Sequence, residues 1–373
     1  MVKEYLLQLG YSKEEIKTIL NSYPLCNLKK DTLLAKIKEV YYLLISLGYS
    51  HEDVIKMTKV LPSLFGYSIE NIKQKIDDLI SLGYSRDDVI KMTKISPTLF
   101  GYSIENIKQK IDDFISLGYS HEDIIKMTKI LPSLFGLSIE NIKQKIDDLI
   151  SLGYSHEDVI KMTKQLPTLY SNSIGNIKQK MDNLISLGYS REDVIKMSKS
   201  LPTLLCLSIE TIKQKIDNLV SLGYSRDDVI KMSKSLPTLL CLSIENIKQK
   251  IDDLISLGYS YNDVIKMTII LPSLFGFSTE NIRQKTIFLK QIDLDFIAVE
   301  DTKKLMQSID LTYARYMFLK DKGIEINKEN YRRLFYNAKQ FEKQYGIDKS
   351  TLLEKYNYQK HMGERENDKR IFS

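Results

Sequence analysis

The sequence has no tryptophan, three cysteines and only four histidines in 373 residues. It has no apolar run of 18 or more residues, which excludes a membrane-spanning helix. Three cysteines do not make a disulfide framework. Cys206 and Cys241 stand in equivalent surroundings and read as small apolar core residues of a reducing compartment. The opening stretch, MVKEYLLQLGYSKEE, lacks the basic flank and apolar centre of a secretory signal, and it is not the Arg- and Ser-rich stretch of a transit peptide. A cytoplasmic location is the expectation. Catalytic signatures are missing too: there is no Gly-rich phosphate loop, no His-Glu-x-x-His and no Cys/His cluster. His51, His121 and His156 share one position in separate repeats, so they cannot converge on a metal. The sequence predicts neither an enzyme nor a cofactor. The Asp77–Asp78 and Asp112–Asp113 pairs read as solvated helix faces.

What is present is a 35-residue period. Gly48, Gly83, Gly118, Gly153, Gly188, Gly223 and Gly258 mark one corner of it, and all eight prolines, from Pro24 to Pro272, mark another. A fixed period of this length is the signature of a solenoid. In the copy around residue 83, Ser68 can cap a helix whose stripe is Ile69, Ile72, Ile76, Leu79 and Ile80. Gly83 can close that helix at C′ with Tyr84 at C″. Ser85 and Asp88 then form a near capping box for a second helix carrying Val89 and Met92 inward. Pro97 ends it and starts a single 3₁₀ turn. The expected fold is all-α: right-angle helix pairs plus 3₁₀ turns, stacked as a superhelical solenoid.

Along the chain, residues 1–47 form a divergent N-terminal repeat, with 1–9 reading as the tail of a helix. Residues 48–285 form seven tandem repeats without an internal boundary. Residues 286–373 form a decayed repeat and a helical cap. In that last part the helix after Ser278 is expected to run on without its closing glycine. Arg315 and Leu319 stand where Lys75 and Leu79 stand, a capped helix is predicted from Asn327, and a short one follows from Asp348. The final HMGERENDKRIFS is expected to fray.

The net charge is +6, divided as +2 in residues 1–47, +1 in 48–285 and +3 in 286–373. Any anionic partner must therefore be met by segregated charge, not by the sum. Lys56 has Glu52 four residues before it, Lys73 has Asp77 and Lys75 has Asp78 within helical reach. Lys59 has no acid three or four residues away. Its class, Lys59, Lys94, Lys129, Lys164, Lys199 and Lys234, is the lysine ladder least quenched by local acids. The tyrosines after each corner glycine (Tyr49, Tyr84, Tyr119, Tyr154, Tyr189, Tyr224) are expected to pack on the helix they follow; stacking on bases is the alternative.

The order Leu-Pro-x-Leu-Phe, Ser-x-Glu-x-Ile, x-x-Lys-x-x-x-Leu, Leu-Gly-Tyr-Ser, x-Glu-Asp-Val resembles the mitochondrial transcription termination factor (mTERF) family, over about residues 10–360. The fixed Trp, Gly, Tyr and Ala of tetratricopeptide repeats are absent. The resemblance implies two helices and a 3₁₀ turn per repeat, and binding of double-stranded DNA or structured RNA in the superhelix groove. It also implies work in transcription termination or RNA metabolism and, as an alternative location, the mitochondrial matrix. DNA is placed slightly ahead of RNA, and a monomer is expected. The expected contacts are Lys59, Lys94, Lys129, Lys164, Lys199 and Lys234 with Arg86, Arg191 and Arg226. A protein-binding scaffold is the other reading, since the array is nearly neutral.

One repeat departs locally. Ser173-Ile174-Gly175-Asn176 replaces Ser-Ile-Glu-Asn, which loses a first-turn Glu and adds backbone freedom. Hydrogen exchange is expected to be faster in residues 165–181 than in the equivalent 200–216; equal protection would dispose of this.

Overall fold

The computed structural model describes residues 1–358, so the expectation of a fraying 361–373 lies outside the described residues. The chain forms two compact units, Met1–Cys206 and Leu207–Ser373. Both are helical, and no strand occurs among the described residues. The fold is an all-α solenoid of helix pairs and 3₁₀ turns.

A repeat of the first unit shows why these residues fold this way. Its first helix is Ile69–Ser81, its second Arg86–Ile95 and its turn Pro97–Gly101. Ser68 accepts a hydrogen bond from the Asn71 N–H and so satisfies one orphan donor at the helix start. Ile72, Ile76 and Leu79 are buried. Ile80, expected inward, is 36% exposed because it lies one residue round from Leu79, at the edge of the stripe. The corner is a Schellman motif. The Gly83 N–H donates to the Ile80 carbonyl (2.9 Å) and the Tyr84 N–H to Leu79 (3.4 Å), with Gly83 at φ +103°. A side chain at this φ would be strained, so glycine is required. Ser85 and Asp88 complete a full capping box on the second helix.

The corner aims the tyrosine into the following repeat. Tyr49 is bonded to Thr93 at 2.6 Å, Tyr84 to Thr128 at 2.6 Å and Tyr154 to Ser198 at 2.6 Å. In the second unit Tyr224 meets Thr268 at 2.7 Å. Thr93 already donates its single proton to the Val89 carbonyl at 2.7 Å, so the tyrosine is the donor. These rings are 2% exposed. The packing role is the one the structure assigns to Tyr49, Tyr84, Tyr119, Tyr154, Tyr189 and Tyr224, and none has a free face for a base.

The C-terminal part departs from expectation in two places. The helix after Ser278 does not run on: it is Thr279–Gln291. Asp293, at φ +55°, takes the glycine's place, and the Leu294 N–H donates to Leu289 at 2.8 Å. Aspartate is among the few residues that visit this region. Nor does a helix start at Asn327. Tyr331–Phe335 is a 3₁₀ turn, followed by a helix Ala338–Tyr345 capped by Asn337. Arg315 donates to the Leu334 carbonyl at 2.9 Å and to the Tyr336 carbonyl at 2.7 Å, where the turn gives way to the helix. The short helix after Asp348 is present as Lys349–Lys355.

Burial pushes the Tyr84 hydroxyl up to about 12 from 10.0, and Tyr49, Tyr11 and Tyr224 likewise. The unfolded chain ionises first, so this stability is complete below pH 10 and lost as pH rises towards 12. Melting temperature should fall across that window. Tyr84→Phe should cost about 1 kcal/mol at neutral pH and shrink the alkaline fall. An alkaline fall of unchanged size in the variant would contradict the assignment.

Candidate nucleic-acid interface

In the first unit the Lys59-class lysines sit in the last turn of each second helix, facing the preceding second helix. That helix begins with the capping-box carboxylate, and the two meet. Lys59 Nζ is 2.9 Å from Glu15, Lys94 2.7 Å from Asp53, Lys129 2.7 Å from Asp88, Lys164 2.7 Å from Asp123 and Lys199 2.9 Å from Asp158. Lys234 occupies the same place at the end of Arg226–Ser235 and is half-buried. The premise that this ladder is the least quenched is therefore corrected. Its acids come from the neighbouring repeat, outside any test along one helix.

The other lysines also change rank. Lys75 donates to the Tyr102 carbonyl, Lys145 to Asn172 and Lys215 to Leu242, all at the end of the following 3₁₀ turn. Lys250 does the same to Phe277 at 2.7 Å and Lys285 to Leu305 at 2.5 Å. Arg315 repeats this role, as its alignment with Lys75 implied. Lys73, by contrast, is exposed, and no ion pair holds it or its equivalents Lys108, Lys143, Lys178, Lys213 and Lys248 among the described residues. Asp77 lies four residues from Lys73 yet forms no ion pair with it. Lys56 and Lys91 are exposed without an ion pair among the described residues, whereas Lys126 and Lys161 are paired with Glu122 and Glu157.

At the position shared by His51, Arg86, His121, His156, Arg191, Arg226 and Tyr261, the side chains of His121, His156, Arg191 and Tyr261 lie against the preceding corner. Arg191 donates to the Leu152 carbonyl at 2.9 Å, and the Tyr261 hydroxyl to Leu222 at 2.7 Å. A Cβ on Gly83 would lie 3.7 Å from the His121 ring. His51 is hydrogen-bonded to the Tyr41 hydroxyl through Nδ1 at 2.8 Å. Arg191 thus serves a helix C-terminus, where a cation suits the dipole. Arg86 and Arg226 are exposed without an ion pair among the described residues.

Cys206 and Cys241 are exposed, not in the core as expected. They stand at the ends of 3₁₀ turns where most other repeats have glycine, and at some of these the neighbouring side chain limits the size allowed. A Cβ on Gly136 would lie 2.5 Å from the Tyr102 hydroxyl. Cys206 faces the smaller Asn172, whose amide is 3.4 Å from its sulfur.

A family model described as mTERF matches residues 1–117, 107–222, 140–256 and 219–342. The chain belongs to the mTERF family. No curated protein matches it. The family is in general one of nucleic-acid-binding helical-repeat proteins. In this mTERF chain no described helix is long and apolar enough to cross a membrane. Among the described residues no group of three or more His, Cys, Asp or Glu side chains is placed to hold a metal ion.

The Lys129 ammonium, followed by the Ser85 hydroxyl, holds Asp88 down to about 2 from its ordinary 3.8. The stability this adds is present above pH 4 and lost as pH falls towards 2. Lys129→Gln should raise the Asp88 titration midpoint, followed by carboxyl-carbon NMR, by about one unit or more. An unmoved midpoint would remove the ion pair from the account.

Proposed function

We propose that this mTERF chain is a non-enzymatic binder of double-stranded nucleic acid, acting in transcription termination or regulation or in RNA metabolism. DNA stands slightly ahead of structured RNA, by the family's habit. The observation that carries the reading, beside family membership, is the row Lys73, Lys108, Lys143 and Lys178. It puts one exposed, unpaired ammonium on each successive first helix, at a constant 35-residue interval. A regular line of uncompensated charge suits a regular polyanion, whose phosphates release counterions when neutralised. Lys59, Lys94, Lys129, Lys164, Lys199 and Lys234, with Arg86, Arg191 and Arg226, are proposed as further contacts. The ion-paired lysines contribute where a phosphate displaces the carboxylate beside them.

The test is a salt titration of binding to a 20-base-pair duplex and to a structured RNA of similar size. Neutralising four phosphate contacts on DNA should flatten the slope of log affinity against log salt by roughly 3–4 units. Replacing Lys73, Lys108, Lys143 and Lys178 by Gln should have that effect. Replacing Lys94, Lys129, Lys164 and Lys199 by Gln should have a smaller one. Absence of salt-dependent binding to either probe would discard the reading in favour of a protein-binding scaffold, which the near-neutral array would also suit.

A further inference from the structure

The 3₁₀ turns of the tandem repeats carry no charge: their sequences are Pro-Ser-Leu-Phe-Gly, Pro-Thr-Leu-Phe-Gly and close variants. The last two turns, both in the second unit, break that rule. Thr302–Met306 contains Lys303-Lys304, and Tyr331–Phe335 contains Arg332-Arg333. With Lys328, this places five cations in residues 300–306 and 328–335, against Glu300, Asp301 and Glu329.

Aromatic rings hold three of these cations. Phe296 and Tyr331 meet edge to face at 5.3 Å, and Tyr331 and Phe335 at 6.4 Å, which makes one row of three rings. Lys328 Nζ lies 5.0 Å from the centre of Phe296, the Arg332 guanidinium 6.0 Å from Tyr331 and Lys304 Nζ 5.8 Å from Phe335. Each ring therefore carries one cation. The turn bearing two of the rings is itself fixed from below: Arg315 and the Gln307 amide both donate to the Leu334 carbonyl, at 2.9 and 2.8 Å. Asp301 accepts from the Tyr331 hydroxyl at 3.2 Å. Among the described residues, no ion pair joins any of the five cations to a carboxylate.

The contrast with the Lys59 class is chemical. A carboxylate positions an ammonium but cancels its charge. A ring positions it through its quadrupole and leaves the charge whole. Cations held in place and still charged are suited to anions, and Arg in particular to bidentate phosphate contact. Each ring is half-buried with a cation over its face, so a base could stack there only by displacing that cation.

We propose that these two turns form a phosphodiester-binding patch that grips the backbone of a nucleic acid without reading its bases. This rests on the nucleic-acid reading above and adds a contact site to it. In the full chain, Lys303, Lys304, Arg332 and Arg333 replaced together by Gln should flatten the salt slope on duplex DNA by roughly 3–4 units. A scrambled duplex should show the same change. The charge-keeping set, Lys303→Arg, Lys304→Arg, Arg332→Lys and Arg333→Lys, should restore most of the slope. Lys303 is exposed and free of ring contacts, so Lys303→Gln alone tests the patch without disturbing the fold, with an expected change of about 0.9. An unchanged slope in these variants, while the unaltered chain binds and the Lys73-class variant is flattened, overturns the patch and leaves the proposed function standing. A change confined to one duplex sequence overturns backbone recognition. No binding by the unaltered chain overturns both.

Discussion

Within each unit, the hydrogen bond from a corner tyrosine to a hydroxyl of the next repeat is what the stacking depends on. It joins Tyr84 to Thr128 across 44 residues, one period plus nine. Tyr11 reaches Thr58 across 47, because the first repeat is longer. The donor direction is fixed by proton count: the threonine proton goes to its own helix carbonyl, which leaves a lone pair for the tyrosine. Two otherwise unrelated sequence features then have one cause. Positive-φ glycine turns the chain so that the C″ ring points into the next repeat, and a hydroxyl residue must wait there. Serine serves at position 198 as well as threonine, because the oxygen is what the tyrosine uses. Where the following second helix shrinks to Ile297–Glu300, Tyr259 finds Thr286 on a first helix instead.

Charge follows the same logic. Two of the four lysine positions of the repeat hold repeats together, one on carboxylates and one on carbonyls left open at the ends of 3₁₀ turns. A buried carbonyl at such an end costs free energy unless it finds a donor. The flexible Lys75 stem reaches it with its head partly desolvated, which pulls the ammonium below its ordinary value. In the last repeat a guanidinium does this for two carbonyls at once.

The fold was legible because every signal for it is local and repeated. Ser68, Gly83, Ser85 and Pro97 each act within five residues, and the period copies them. The site was less legible because its electrostatics are not local. Lys94 and Asp53 are 41 residues apart and on different helices, so the acids one turn from this lysine say nothing of its partner. The period itself held the missing signal, since every Lys59-class lysine has a capping-box acid one repeat plus six residues before it or, for Lys59, slightly further. The stretch from Asn327 misled for a related reason. The turn found there instead has its Leu334 carbonyl held by Arg315, which lies elsewhere in sequence.

Near-identity between repeats also limits what such a surface can distinguish. A partner lying along the first helices meets the same Lys, Gln and Asp in almost every repeat. The positions that do vary are mostly absorbed by packing. Tyr67 and Tyr102 are matched by Gly101 and Gly136, and Asn172 by Cys206. Arg191 and Tyr261 differ in chemistry yet donate to equivalent carbonyls. Variation spent on fitting neighbours is not available for reading a ligand. Among the groups left facing outwards are the first-helix lysines, unchanged from Lys73 to Lys248, so variation between repeats adds nothing to that row.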